Sequence, residues 1–236
     1  MRKFITRCFS DGTDFGRPKS TRENIARAGR SGFGDSICEI SNLINTCDEA
    51  EIVLPDVHPG AKALLGLYDL TGRNYKFITD KRFIDNCVRN SYDNESMAEF
   101  AGMEFLHCYP EFPRYAKLDP NKFEETDLPS GDYIATQMIS FSRKAKLSED
   151  AARRIEDSYG LPVFSVHKRE DLGLAKLAYI IANAKYYVGC DSGMTHFANT
   201  IKEPDGIHIY IPEGRITGVG QRWISYGYNV SIGRYS

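Results

Sequence analysis

The sequence predicts an α/β protein built as two domains facing a cleft. Short apolar strands alternate with amphipathic helices from Lys3 to Ile78, and the same alternation resumes at Asp132 and runs to Ile211. Alternation of this kind implies parallel sheets with crossover helices. Between the two runs, Pro110, Pro113 and Pro120 punctuate a stretch from about residue 110 to 130 that reads as a linker. The expected division is therefore residues 1–120 and 130–236.

Lys3 to Phe9 reads as the first strand. Ser10 to Arg30, rich in Gly, Asp and Arg and containing Pro18, reads as a long irregular excursion, and such loops in compact domains are usually functional or mobile. Ser31-Gly-Phe-Gly-Asp35 then leads into a helix over Ser36–Asn45, with Ile37, Ile40, Leu43 and Ile44 on one face. Glu51–Leu54 is expected as a buried strand, Pro59–Tyr68 as a helix and Tyr75–Ile78 as a strand. Ser96–Cys108 fits a helix with Met97, Phe100, Ala101, Phe105 and Leu106 inward. In the second half, Tyr133–Ile139 is a strand. Ser148–Tyr159 is a helix capped by Ser148, with Glu149 and Asp150 in its first turn. Pro162–Val166 is a strand. Asp171–Asn183 is a helix whose apolar face carries Leu172, Leu174, Ala175, Ala178, Ile181 and Ala182. A strand then ends at Gly189-Cys190, and Ile207–Ile211 is the last clear strand. The tail, Gly214 to Ser236, is expected to cross back to the first domain.

At 236 residues, 42% hydrophobic and 26% charged, the composition is that of an ordinary soluble globular protein. No apolar run approaches the roughly 20 residues of a spanning helix, so no transmembrane segment is expected. The start, Met1 to Arg7, lacks the apolar core of a secretory signal, which makes a cytoplasmic location the expectation, with action at a membrane face without entering it as the alternative. Six cysteines without a CxxC pair argue against a disulfide framework or a zinc site. Net charge is −2, yet the first 30 residues hold eight basic against three acidic side chains, among them Arg17, Lys19, Arg22, Arg27 and Arg30. A basic region of that kind can receive an anionic partner even in a slightly acidic protein.

The most informative run is Lys185-Tyr-Tyr-Val-Gly-Cys-Asp-Ser-Gly-Met-Thr-His196. A hydrophobic strand ends, Asp191 and Ser192-Gly193 follow, and His196 opens the next helix. Strand ends feeding helix starts are where open α/β sheets bind ligands, because backbone donors and the helix dipole converge there. Asp191, Ser192, Gly193 and His196 are thus expected at one crevice. A second junction is Gly32-Phe33-Gly34-Asp35, whose glycines permit close approach. There Asp35 either caps the helix or projects toward the space between the domains. Arg143, Lys144 and Lys146 follow the strand Tyr133–Ile139, at another C-terminal sheet edge.

Taken in order, the two junctions resemble the lipopolysaccharide heptosyltransferase family. Gly34-Asp35-Ser-Ile-Cys-Glu-Ile matches its N-terminal Gly-Asp followed by an apolar helix. Asp191-Ser192-Gly193-Met194-Thr195-His196-Phe197-Ala198 matches its C-terminal pattern of Asp, Ser or Thr, Gly, two variable residues, His and Ala. The helix Leu177 to Ala184 leads in as that family's does. The resemblance covers about residues 31–55 and 130–212.

It implies a compact version of the GT-B fold, two Rossmann-like domains, and an inverting, metal-independent glycosyltransferase that uses a nucleotide sugar and no resident cofactor. It makes Asp35 the general base that deprotonates the acceptor hydroxyl. Gly32 and Gly34 become the loop leading to the catalytic helix. The leaving pyrophosphate falls to Arg143 and Lys144, with Lys144 first, and to Ser192 and Gly193, while Asp191 orients the loop or a sugar hydroxyl. His196 either donates to a phosphate oxygen or packs beside the sheet, and its place in a motif matched as a set favours contact. The implied acceptor is a saccharide or lipopolysaccharide core. The basic segment keeps a second acceptor open, hydroxymethylated bases in DNA as in phage-type enzymes, with Arg17, Lys19, Arg22, Arg27 and Arg30 on phosphates. A non-catalytic nucleotide-sugar-binding protein is the alternative of another class. A dinucleotide-dependent oxidoreductase is disfavoured, because no GxGxxG follows the first strand.

Overall fold

The computed structural model describes residues 2–5, 33–53, 59–78, 104–105, 115–139, 147–167, 169, 171–213, 223–224 and 227–233. The chain divides into two compact units, Met1–Ala116 and Lys117–Ser236.

The first unit holds β1 (Arg2–Ile5), α1 (Phe33–Thr46), β2 (Glu49–Val53), α2 (Pro59–Gly66), β3 (Asn74–Ile78) and β4 (Glu104–Phe105). All pairings among these strands are parallel, in the order β3-β2-β1-β4. Helix α1 is buried on more than its apolar stripe. Ile37, Ile40 and Leu43 are enclosed as the periodicity predicts, and so are Ser36, Glu39 and Ser41. Arg73 ties the α1–β2 connection to β3, donating from Nη1 to the Cys47 carbonyl and to Asp48 Oδ1, each at 3.0 Å.

The second unit holds β5 (Ile134–Gln137), α3 (Glu149–Asp157), β6 (Val163–Ser165), α4 (Leu174–Asn183), β7 (Tyr186–Cys190), α5 (Gly193–Asn199), β8 (Ile207–Pro212) and β9 (Asn229–Gly233). Its sheet is parallel throughout, in the order β6-β5-β7-β8-β9. Alternate residues feed two cores. Ile134, Met138, Val188 and Cys190 meet Leu147, Ala152 and Ile155 on the α3 side. Tyr133 and Tyr187 take the other side, where the Tyr133 hydroxyl donates to the Ile180 carbonyl of α4 at 2.6 Å. Ser148 caps α3 by accepting from the Ala151 N–H at 3.2 Å, and the two acidic residues of the first turn follow it.

Three expectations change. Helix α1 begins at Phe33, so Gly34 and Asp35 occupy its first turn rather than the loop before it. The helix expected over Ser96–Cys108 is contradicted at Glu104–Phe105, which is β4, pairing Phe4 with Glu104 and Ile5 with Phe105. A local helical period carries no information about a distant open strand edge, and the pairing prevails. Within the stretch read as a linker, Lys117 to Glu124 is a strap on the second unit. The Leu118 N–H donates to the Thr200 carbonyl at 2.9 Å and the Glu124 N–H to the Ala175 carbonyl at 3.3 Å. Lys117 Nζ reaches the carbonyls of Asn199 and Lys202 at 3.2 and 2.6 Å, a cation at the end of α5, where the helix dipole favours one. Within the tail, Asn229–Gly233 forms β9, which pairs with β8 at the edge of the second sheet.

Candidate functional site

In the second sheet the chain moves from β5 outward to β6 on one side and to β7, β8 and β9 on the other. The strand order reverses between β5 and β7, and a reversal opens a crevice at the carboxyl ends of the two strands. Three of the sequence-predicted residues lie there. Asp191 and Ser192 leave the end of β7, and Gly193 starts α5. The chain also leaves the end of β5 there on its way to Arg143 and Lys144, which lie outside the described residues.

The loop after β7 is held by its own hydroxyls. Ser192 caps α5, its Oγ accepting from the Thr195 N–H at 3.4 Å. Thr195 Oγ1 donates to the Cys190 carbonyl at 2.5 Å, and the Thr195 carbonyl accepts from Asn199 Nδ2 at 2.6 Å. Gly189 makes room for this arrangement. A Cβ built on it meets Cε1 and OH of Tyr187 at 2.8 Å and Thr195 Oγ1 at 3.0 Å, so the bare α-carbon lets the Tyr187 ring lie along the strand. Asp191, Ser192 and Gly193 remain half-exposed at the edge.

His196 does not join them. It sits on the fourth residue of α5 rather than opening it, only 8% exposed, with its ring centroid 5.2 Å from that of Trp223. Burial pushes its pKa down to about 4, so the imidazole is neutral at pH 7 and brings no positive charge. Burial also pushes the Cys190 thiol up to about 12, which leaves it protonated and unreactive, a small apolar filler as the cysteine pattern suggested.

The sequence reading overlooked Gln137 and His167. Gln137 ends β5, is 5% exposed, and donates from Nε2 to the Ile139 carbonyl at 2.7 Å. The same nitrogen lies 3.0 Å from His167 Nδ1, beyond the end of β6. Gln137 Oε1 is buried with no hydrogen-bond partner among the described residues. A lone amide closing the apolar run Tyr133-Ile-Ala-Thr-Gln was the available signal.

The opposite edge of the sheet has a different character. A cavity of about 310 Å³ there is lined by Ala182, Lys185, Tyr186, Lys202 and Asp205. Lys202 Nζ is turned to the Ala182 and Ala184 carbonyls at the end of α4, at 3.3 and 2.7 Å. Its charge is engaged with helix carbonyls.

In the first unit, Asp35 stands in the first turn of α1, with its side chain outside the described residues, as are Gly32, Arg17, Lys19, Arg22, Arg27 and Arg30. Among the described residues, no group of three His, Cys, Asp or Glu side chains is placed to hold a metal ion. No described helix is long and apolar enough to cross a membrane.

Each unit carries a parallel α/β sheet, the second with its polar loop at a strand-order reversal, and the fold is of the GT-B kind. Among solved structures, the chain is similar to ADP-heptose lipopolysaccharide heptosyltransferase II of E. coli, with a TM-score of 0.51 at 11% identity over 98% of this chain and 90% of that one. It is also similar to the E. coli heptosyltransferase WaaC, with a TM-score of 0.49 at 11% identity over 98% and 92%. The iron-containing dodecameric glycosyltransferase TibC of enterotoxigenic E. coli gives 0.47 at 12% identity over 89% of this chain, which spans only 59% of TibC. No protein-family model and no curated protein matches the sequence.

Proposed function

We propose that this chain is an inverting glycosyltransferase moving a sugar from a nucleotide-sugar donor to an acceptor hydroxyl, without a metal. The observation that carries the reading is the loop Asp191-Ser192-Gly193 at the strand-order reversal of a GT-B-type second unit. The fold likeness to E. coli heptosyltransferase II supports it and favours a saccharide of the lipopolysaccharide-core kind as acceptor.

In this reading the acceptor oxygen attacks the anomeric carbon as the bond to the diphosphate oxygen breaks, inverting the centre. Asp35 accepts the acceptor's proton. Negative charge gathers on the departing bridging oxygen, where Arg143 and Lys144 offset it and the Ser192 hydroxyl and Gly193 N–H donate. The Ser192 cap uses an oxygen lone pair, so its own proton stays available to a phosphate oxygen. Asp191, unsuited to diphosphate, orients the loop or a sugar hydroxyl. A neutral His196 contributes packing and at most an N–H donor.

The test is a panel of nucleotide sugars screened for thermal stabilisation of the chain, then for transfer to saccharide acceptors with and without a chelator. Asp35→Asn lowers transfer by about 10²- to 10⁴-fold while donor affinity stays nearly unchanged. Transfer at the wild-type rate by that variant refutes the base assignment, and inhibition by the chelator refutes metal independence. The basic excess in residues 1–30 favours DNA as a second acceptor class, and a salt titration against duplex DNA separates the two. Affinity falling steeply with salt supports DNA, and flat millimolar binding removes it.

A further inference from the structure

The two ends of the Gln137 amide are told apart by their neighbours. Nε2 lies 2.7 Å from the Ile139 carbonyl, which can only accept, and 3.0 Å from His167 Nδ1. Exchanging nitrogen and oxygen would set two acceptors against each other at Ile139, so the nitrogen stays there and both its protons are used. Oε1 is then a pure acceptor on a side chain only 5% exposed, and it has no hydrogen-bond partner among the described residues. A buried acceptor left unpaired is costly, and native folds keep few of them without a reason. Its direction follows from strand order, since β5 runs between β6 and β7. The two terminal atoms of an amide diverge, and Nε2 is committed toward His167, beyond the end of β6. Oε1 is therefore turned to the β7 side, where the parallel register sets Gly189, which has no side chain, abreast of Gln137. On that side the strand order reverses and the crevice opens.

An oxygen that only accepts selects its partner's chemistry. The ionised diphosphate of a nucleotide sugar offers it no proton, whereas a neutral hydroxyl does. Asp191 comes two residues after Gly189, so a ligand with its diphosphate at that loop brings the flanking hydroxyls, rather than its base, level with Gln137. We propose that Gln137 is a specificity-determining residue whose Oε1 accepts from a hydroxyl beside the diphosphate of the bound donor, on the ribose or on the transferred sugar. The proposal rests on the glycosyltransferase reading for the nature of that ligand. Ile139 and His167 hold the amide in the orientation that leaves its oxygen for the ligand. Because Oε1 is enclosed, the hydroxyl reaches it only as the crevice parts around the ligand, and the hydrogen bond gained offsets that opening.

The experiment measures binding to the whole chain by calorimetry, with thermal melting of each variant alongside. The probes are ADP, GDP and UDP, their 2′- and 3′-deoxy forms, their glucose conjugates and ADP-heptose. Gln137→Met keeps the side-chain length and removes the oxygen. If a ribose hydroxyl is read, the matching deoxy form binds wild type roughly three- to tenfold more weakly than its parent, the range of one neutral hydrogen bond. Gln137→Met then binds parent and deoxy form alike, at the weaker level. If the hydroxyl is on the sugar, Gln137→Met weakens the nucleotide sugar by that factor and leaves the diphosphate unchanged. Wild-type affinity of Gln137→Met for every probe overturns the proposal. So does a loss for the diphosphates that no deoxy form reproduces in wild type, which marks a contact with the base or a loosened site. If the wild-type chain binds none of the probes, the glycosyltransferase reading itself falls and takes this role with it. Should Gln137→Met fail to fold, Gln137→Glu decides, because its oxygens still accept. It keeps the wild-type preference for the hydroxyl-bearing probe, and loss of that preference overturns the proposal.

Discussion

Lowering the pH from 7 to 5 destabilises this protein through His196, and the size of the effect follows from its burial. The folded pKa is about 4 against an ordinary 6.5, depressed because the ring is buried against Trp223. A depressed histidine pKa means that the unfolded chain takes up the proton first. The contribution is therefore complete above pH 6.5, and it is lost as pH falls from 6.5 toward 4. At pH 5 the unfolded group is almost fully protonated and the folded one about one-tenth protonated, which corresponds to about 2 kcal/mol. Urea unfolding at pH 7 and pH 5 reads this directly. Trp223, the only tryptophan and 1% exposed, supplies the fluorescence signal beside the titrating ring. His196→Gln keeps a polar amide but cannot titrate, so its loss between the two pH values is smaller than the wild type's by that amount. His208, also lowered by burial, moves stability in the same direction in both proteins and cancels in the difference. An identical pH dependence in wild type and His196→Gln refutes the reasoning.

Two further outcomes test the local physics. Gly189→Ala places a methyl group 2.8 Å from the buried Tyr187 ring and costs about 1–3 kcal/mol, seen as a lower urea midpoint with an unchanged slope. Ser148→Ala leaves the Ala151 N–H without its side-chain acceptor, and costs about 1 kcal/mol in the same assay.

Much of the second unit was legible along the chain. Its strand and helix order follows from local periods, and Ser148 was readable as a cap because one side chain and the N–H three residues on suffice to make it. The loop Asp191-Ser192-Gly193 was readable for the same reason, since its chemistry lies in consecutive residues. The exceptions share a cause. Phe105 belongs to a helical pattern but pairs with Ile5, a hundred residues away. Lys117 and Leu118 carry the mark of a linker, yet their partners are carbonyls near Thr200. Asn229–Gly233, two apolar residues among polar ones, becomes a strand because β8 offers an edge to it.

By itself the sequence determined the α/β class, most element positions, and the two glycine–aspartate junctions that carry the proposed chemistry, because each depends on neighbours within a turn or a strand. Only the tertiary structure decided that His196 is a neutral ring against Trp223, that Gln137 and His167 meet across two strands, and that Tyr187 reaches Thr195 over a bare glycine. Those facts depend on burial and on which distant atoms share a hydrogen bond, and neither desolvation nor proton allocation is written in local residue order.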